Sequence, residues 1–258
     1  MFGGQTLWTP ANTTEALWFD AADSSTITTV SGAISQWNDK SGNARNITQG
    51  TAANRPALTA NGLNSLAVAT FDGSNDILST SSAGAIGVLN VSIIALFRYV
   101  SASGEDLPMG LGQTADGSKI RAFYRASGGT TQGYATWSND ITASSLSTDT
   151  GGGFHIFEAV QSSNQVSLWR DGNADSVLPR TLPTTPLAIQ TDAFSIGSLT
   201  GSAVATYQAN IAVAEVLVFY SAISTDIRQR SEGYMAHKWG LTANLPAGHP
   251  YKSAPPYV

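Results

Sequence analysis

The sequence predicts an all-β fold: an antiparallel sandwich or jelly roll, closed by one short helix near its end. Three observations carry that prediction. Short apolar runs recur about every ten residues, separated by turns of Gly, Asp, Asn and Ser. Residues 211–220 (IAVAEVLVFY) alternate with a period of two and are rich in β-branched and aromatic side chains. Charged residues make up only 12% of the 258-residue chain, about half of the roughly 25% of an average domain. Gly, Ser, Thr, Asn and Ala supply the polarity instead, as in short strands joined by small-residue turns.

Residues 1–14 read as an arm, with Gly3-Gly4 as a joint and Trp8 as an anchor. It is either laid on the domain or used to dock a neighbouring subunit, and the first reading leads. Residues 15–258 read as a single domain. Residues 15–20 (EALWFD) form a strand, residues 23–25 turn it, and residues 27–30 begin the next. Trp37 precedes a turn built from Asn38, Asp39, Ser41 and Gly42. Residues 66–71 alternate, and residues 72–76 (DGSND) turn the chain. Residues 91–100 form the clearest strand before the last one. Residues 119–125, 134–137, 154–161, 166–170 and 194–196 complete the set, about a dozen in all. Asp171-Gly172 marks a tight hairpin. Residues 211–220 are apolar on both faces and so belong in the middle of a sheet.

The period then changes. Ser224 is a suitable N-cap, Asp226 suits the helix dipole, and Ile227, Ser231, Tyr234, Met235, Lys238 and Trp239 share a stripe. Gly240 stands where a left-handed C-cap residue is wanted, so the helix spans 224–239. The Pro-rich tail, 242–258, is expected to be extended on the surface.

The net charge of -5 and pI near 5.0 argue against nucleic acid and anionic membranes as partners. With no cysteine, disulfides and thiolate metal sites are excluded. The first ten residues lack the pattern of a signal peptide, and no apolar run approaches the roughly 20 residues of a membrane span. The expectation is a leaderless chain made in a cytoplasm and not inserted in a membrane.

The motifs Trp37 to Asn43 (WNDKSGN), Arg55-Pro56, Phe71 to Asp76 (FDGSND) and Leu168 to Gly172 (LWRDG) resemble, in that order, laminin-G-like, concanavalin A-like jelly rolls. The ending Glu232 to Leu241 (EGYMAHKWGL), with Leu245-Pro246 and His249-Pro250-Tyr251, is similar to a terminal motif found in tailed-phage virion proteins and large bacterial surface proteins. The resemblance implies two antiparallel sheets, one of them concave. It also implies binding or assembly rather than catalysis. Trp37, Glu215, Tyr234, Trp239 and Gly240 are then structural residues.

For catalysis, the five glutamates (Glu15, Glu105, Glu158, Glu215 and Glu232) include none with an acid two residues away, so no strand presents a carboxylate pair to a glycosidic bond. Glu215, a charge within an apolar strand, is expected to hydrogen-bond backbone or cap a loop. His155, His237 and His249 have no zinc-site spacing. No cofactor is required. Calcium, which the resemblance implies for many such domains, would draw on Asp72 with Asp76, or on Asp39 with Asn43; ordinary Asx-turns account for both sets. Sugar binding would use Tyr124, Tyr134, Trp137 and Trp169 for stacking, with Arg121, Asn139 and Asp140 as polar neighbours.

The leading expectation is therefore a non-enzymatic bacteriophage virion protein exposed on capsid or tail. Its partners would be other virion proteins and host-surface glycans, and it would form a homo-oligomer such as a trimer. The alternative is a carbohydrate-binding module of a secreted or cell-surface bacterial protein. A polysaccharide-degrading enzyme ranks third.

Overall fold

The structure, a computed structural model, describes residues 5–101, 104–113, 119–136, 139–200 and 207–258. Among them the chain forms eighteen strands and one α-helix. In chain order the strands are β1 (Leu17–Asp20), β2 (Ile27–Val30), β3 (Ala33–Trp37), β4 (Ile47–Thr48), β5 (Ala57–Leu63) and β6 (Leu66–Asp72). Next come β7 (Leu78–Thr80), β8 (Ser92–Tyr99), β9 (Met109–Leu111), β10 (Arg121–Tyr124), β11 (Thr131–Ala135) and β12 (Ile141–Ser147). The last six are β13 (His155–Ser162), β14 (Gln165–Arg170), β15 (Asn173–Ala174), β16 (Arg180–Thr181), β17 (Phe194–Ile196) and β18 (Asn210–Phe219), followed by α1 (Thr225–Lys238).

The paired strands are antiparallel throughout. β18 is central: β8 pairs along one side of it, while β1 and β6 share the other. β13 and β14 extend that layer beyond β8. The facing layer runs β2, β3, β4, β7, β17, β9, β10, β11, β12. Phe19 stacks on Phe194 and Phe97 packs on Phe123, with centroids 5.8 and 5.9 Å apart, which joins the layers through the core. Such pairs add about 0.5–1.5 kcal/mol beyond the area they bury.

The expected two-sheet jelly roll is only partly matched: two antiparallel layers form, but they are not clearly two sheets. β5 pairs with β6 in one layer and meets β3 of the other at Ala33–Ala57, so every strand belongs to one hydrogen-bonded network. On the opposite side Asp175 accepts the backbone N–H groups of Ser144 and Ser145, and Arg170 donates to the Ser147 carbonyl. The result is a nearly closed, barrel-like sandwich, in which closure removes most of the open edge that two free sheets would expose.

Two local expectations can be compared with the geometry. Asp171 and Gly172 both take positive φ, 52° and 75°, as the tight turn between β14 and β15 requires. The unbroken alternation over residues 211–220 is interrupted: between Val213 and Glu215 the register against β8 shifts by one, and Ala214 is bulged out. A bulge reverses the inward-outward order on either side of it.

The helix begins at Ser224, whose side chain accepts the Ile227 N–H, and ends where Gly240 turns left-handed at φ 74°. The Leu241 N–H returns to the Ala236 carbonyl, closing the helix end. Trp8 is buried and packs edge-on against Tyr234, while its N–H donates to Pro256. The tail is not simply extended. It makes a 3-10 turn at Thr242–Asn244, then crosses α1 so closely that a Cβ on Gly233 would lie 2.4 Å from that of Tyr251. No helix among the described residues is long and apolar enough to cross a membrane.

Candidate functional site

Charged side chains are scarce in this chain, and many of them are buried as ties between elements. Glu215, on β18, is fully buried and accepts four side-chain donors. Trp18 Nε1 and Tyr234 Oη reach Oε1 at 2.8 and 3.0 Å; Lys238 Nζ and Trp239 Nε1 reach Oε2, both at 2.7 Å. Burial pushes its carboxyl above the ordinary range, and Lys238 pulls it back. Lys238 also pairs with Asp20, which in turn pairs with Lys40. Instead of the expected backbone contact or loop cap, Glu215 fastens strand β1 and helix α1 to β18.

A second tie joins residues far apart in sequence. Glu158 of β13 and Glu232 of α1 are wholly buried and hydrogen-bonded to each other, with Arg228 and His249 against them. Burial and the Glu232 charge push the Glu158 carboxyl well up, whereas His249, Glu158 and Arg228 outweigh burial and hold Glu232 low. The two shifts run in opposite directions, so Glu158 gives up its proton at higher pH than Glu232. Arg228 lies 4.3 Å over the Trp169 ring. Two carboxyls in direct contact have no room for a sugar between them; a glycosidase pair stands about 5–9.5 Å apart.

One surface feature among the described residues is a polar groove at one end of the sandwich. Two adjoining hollows, of about 540 and 470 Å³, share Asn43 and Arg45 as a common wall. Thr13, Thr14, Glu15, Ser41, Tyr220 and Ser221 line the first; Gln36, Asn46, Thr48, Ser81 and Ser82 line the second. The wall is the turn after β3. Asp39 Oδ1 accepts the N–H groups of Trp18 and Ser41, and Oδ2 accepts the Ser41 hydroxyl and the Arg45 N–H. Asn43 Nδ2 donates to the carbonyls of Glu15 and Ala16. Arg45 lies over Tyr220, 5.5 Å from the ring centroid, and the Tyr220 hydroxyl donates to Ala83. Burial raises the Glu15 carboxyl, although Thr13 donates to it at 2.7 Å. Asp192 holds the facing loop by accepting from the Ser82 hydroxyl and from the N–H groups of Ala83 and Ala85.

The sugar-binding candidates from the sequence fall elsewhere. Tyr134 is wholly buried and donates to Gln161. Arg121 is also buried, donating to the carbonyls of Ile120, Leu89 and Leu187. Neither reaches the surface, because apolar neighbours on β10 and β11 pull both strands into the core. Trp169 is half-buried beneath Arg228. Tyr124 is half-buried near Glu105, Asp140 and Tyr207, and burial with the Glu105 contact pushes its phenol up to about 12. Trp137 lies outside the described residues. Asn139 is buried, and Asp140 accepts the Thr136 N–H.

Of the calcium candidates, Asp72 makes an Asx-turn to Ser74 and Asn75, Asp76 accepts the Asp72 N–H, and Asp39 and Asn43 hold the groove wall. No group of three or more potential ligand side chains converges among the described residues. Trp37 is buried, as are Trp239 and Glu215. The groove residues Arg45, Tyr220 and Ser82 escaped the sequence reading. The only signal was the Asn-Asp-Lys-Ser-Gly-Asn turn just before Arg45.

No family model matches the chain, and no curated protein matches it. Solved structures do resemble it. A Trypanosoma rangeli sialidase in complex with sialic acid is 14% identical over 87% of this chain and 34% of its own, with a TM-score of 0.57. An arabinofuranosidase complexed with arabinofuranosyl-alpha-1,2-xylobiose is 12% identical over 84% of this chain and 58% of its own, TM-score 0.55. The binding domain of botulinum neurotoxin DC in complex with SialylT is 10% identical over 83% of this chain and 50% of its own, TM-score 0.52. The likeness is one of fold. The chain spans about a third of the sialidase's length.

Proposed function

We propose that this chain is a non-catalytic carbohydrate-binding domain on a jelly-roll-like sandwich, and that it holds a glycan in the Arg45 groove. The groove itself carries the reading. Its walls bear short hydroxyl and amide side chains suited to sugar hydroxyls, with one aromatic ring, Tyr220, and one guanidinium. Its backbone is tied in place before any ligand arrives, which lowers the ordering cost of binding. That similar folds are solved with sialic acid, an arabinofuranosyl xylobiose and SialylT is in keeping with this role.

The carbohydrate-binding module, the sequence alternative, is thus preferred to the virion component. Glu232, Tyr234, Lys238 and Trp239, at the heart of the motif that suggested a virion, are used in the helix ties, so the motif speaks for the fold rather than for a location. We place such a module in a secreted or cell-surface bacterial protein.

Labelled protein applied to an array of neutral and acidic glycans is expected to bind a subset. Asn43→Ala, which removes two ties of the groove wall, is expected to weaken that binding. Absence of binding across the array, or release of reducing sugar from a bound polysaccharide, would overturn the proposal.

A further inference from the structure

Arg45 stands apart from the charges around it. Among the described residues it makes no ion pair, and its guanidinium gives one hydrogen bond, 3.2 Å to the Ala16 carbonyl. A guanidinium carries five N–H donors, so most of its capacity is unused. It is nevertheless held in position. The Tyr220 ring lies on one side, and Gly84, at φ 67°, approaches so closely that a Cβ there would lie 2.4 Å from Nη2. Both hollows of the groove adjoin it.

Resting on the glycan-binding reading above, we propose that Arg45 anchors the carboxylate of an acidic sugar residue, while the hydroxyl and amide side chains beside it take the sugar's hydroxyls. The planar fork of a guanidinium matches a carboxylate with two parallel N–H···O bonds, a geometry an ammonium cannot offer. Glu15 lines the first hollow, Asp39 lies beneath its wall and Asp192 sits behind the Ser82–Ala85 loop; each of these carboxylates is already held by hydroxyl or backbone N–H donors, so the acid group is expected against the unused N–H donors of Arg45 itself. The three hydrogen bonds to Asp192 fix that loop, so the anion would meet a formed site.

Calorimetric titration with paired probes tests this: sialyllactose against lactose, and oligogalacturonate against its methyl ester. The wild-type protein is expected to bind at least one carboxylated probe about ten- to hundred-fold more tightly than its neutral partner, the range for a hydrogen-bonded charged group. The preference should shrink as salt rises. Arg45→Gln should bring the acid-to-neutral ratio close to one, and Arg45→Lys should restore only part of it. Thermal unfolding of each variant checks that it is folded. Gly84→Ala, which crowds the guanidinium without removing its charge, should also lower the ratio. Equal wild-type affinity for acid and neutral probes would overturn the Arg45 assignment and leave the glycan-binding reading standing. A ratio unchanged in folded Arg45→Gln, or a preference for sulfated over carboxylated lactose, would overturn it as well. Binding to none of the probes or array glycans would overturn both.

Discussion

Replacing Glu215 with Gln tests the buried tie most directly, because the change keeps shape and alters charge and one acceptor. Glu215 presents two oxygens to four donors. Gln has one oxygen, and its amide nitrogen must face one of the two pairs. The least costly choice puts the amide toward Trp18 and Tyr234, since the tyrosine hydroxyl can turn and accept. The Trp18 indole N–H is then left without a partner, and Lys238 faces a neutral oxygen with Asp20 as its remaining ion-pair partner. A hydrogen bond to a charged group contributes about 1.5–3 kcal/mol, and breaking a buried ion pair on one side costs about 3–5 kcal/mol. The expected loss is about 3–5 kcal/mol, or roughly 6–20 °C in Tm at about 2–4 °C per kcal/mol for a domain of this size. Thermal and urea unfolding followed by circular dichroism would measure it. Glu215→Gln combined with Lys238→Met should cost less than the two single changes added together, since they share a partner. A loss below about 1 kcal/mol, with strict additivity in the double variant, would mean that water already satisfies these donors and that the tie does not hold the helix.

Two further outcomes concern pH. Glu158→Gln should be close to neutral below about pH 4.3 and increasingly stabilising relative to wild type as pH rises above it, so that it flattens that limb of the stability profile. Its folded pKa is raised, so Glu158 favours folding below about 4.3 and loses that contribution as pH climbs through the folded value, a loss Gln does not suffer. Glu232→Gln should cost about 3 kcal/mol or more at neutral pH, because Glu232 is held low and its charge balances Arg228; equal effects of the two changes would contradict this order of proton loss. At His155 burial lowers the pKa, but Asp171 at 2.5 Å and Asp149 at 2.9 Å outweigh it and raise it overall. The contribution of this triad should be complete below about pH 6.5 and fade as pH rises through the folded value, and His155→Gln should abolish that slope in denaturant midpoints measured across pH.

The strands dominated by large apolar residues were legible, as were the Asp171-Gly172 turn and helix α1 with its caps. Each rests on chemistry local in sequence. β5 and β12 were not legible, for different reasons. β5 carries Asn61 and Gly62 at a register shift, which breaks the period. β12 buries only Ala143 and Leu146 and fills its remaining positions with Ile, Ser and Thr, so its alternation is faint. Closure into one network depends on a single pair, Ala33 with Ala57, which no pattern of apolar residues announces. The buried acid pair escaped because Glu158 and Glu232 meet only after the tail has wrapped the helix. The site candidates failed for a related reason: Tyr134 and Trp169 were chosen by residue type, whereas exposure is decided by which face a neighbouring element covers. Arg45 carried no such attraction in the sequence; its place in the wall shared by both hollows, with no ion-pair partner among the described residues, singles it out.

The groove and the helix tie are parts of one construction, and Trp18 is where they meet. Its indole N–H donates to Glu215, its backbone N–H donates to Asp39, and its carbonyl accepts the Lys40 N–H. Lys40 returns through Asp20 to Lys238 on the helix. The turn that carries Asn43 and Arg45 is therefore bolted to β1 by Trp18, whose indole shares Glu215 with the helix. This explains how so few charges suffice. A polar surface with few charges would give a glycan little energy per contact, so on the proposed reading affinity would draw on a wall already held in place before the ligand arrives. The scarce carboxylates brace that wall from beneath, and the Arg45 guanidinium above it makes no ion pair among the described residues.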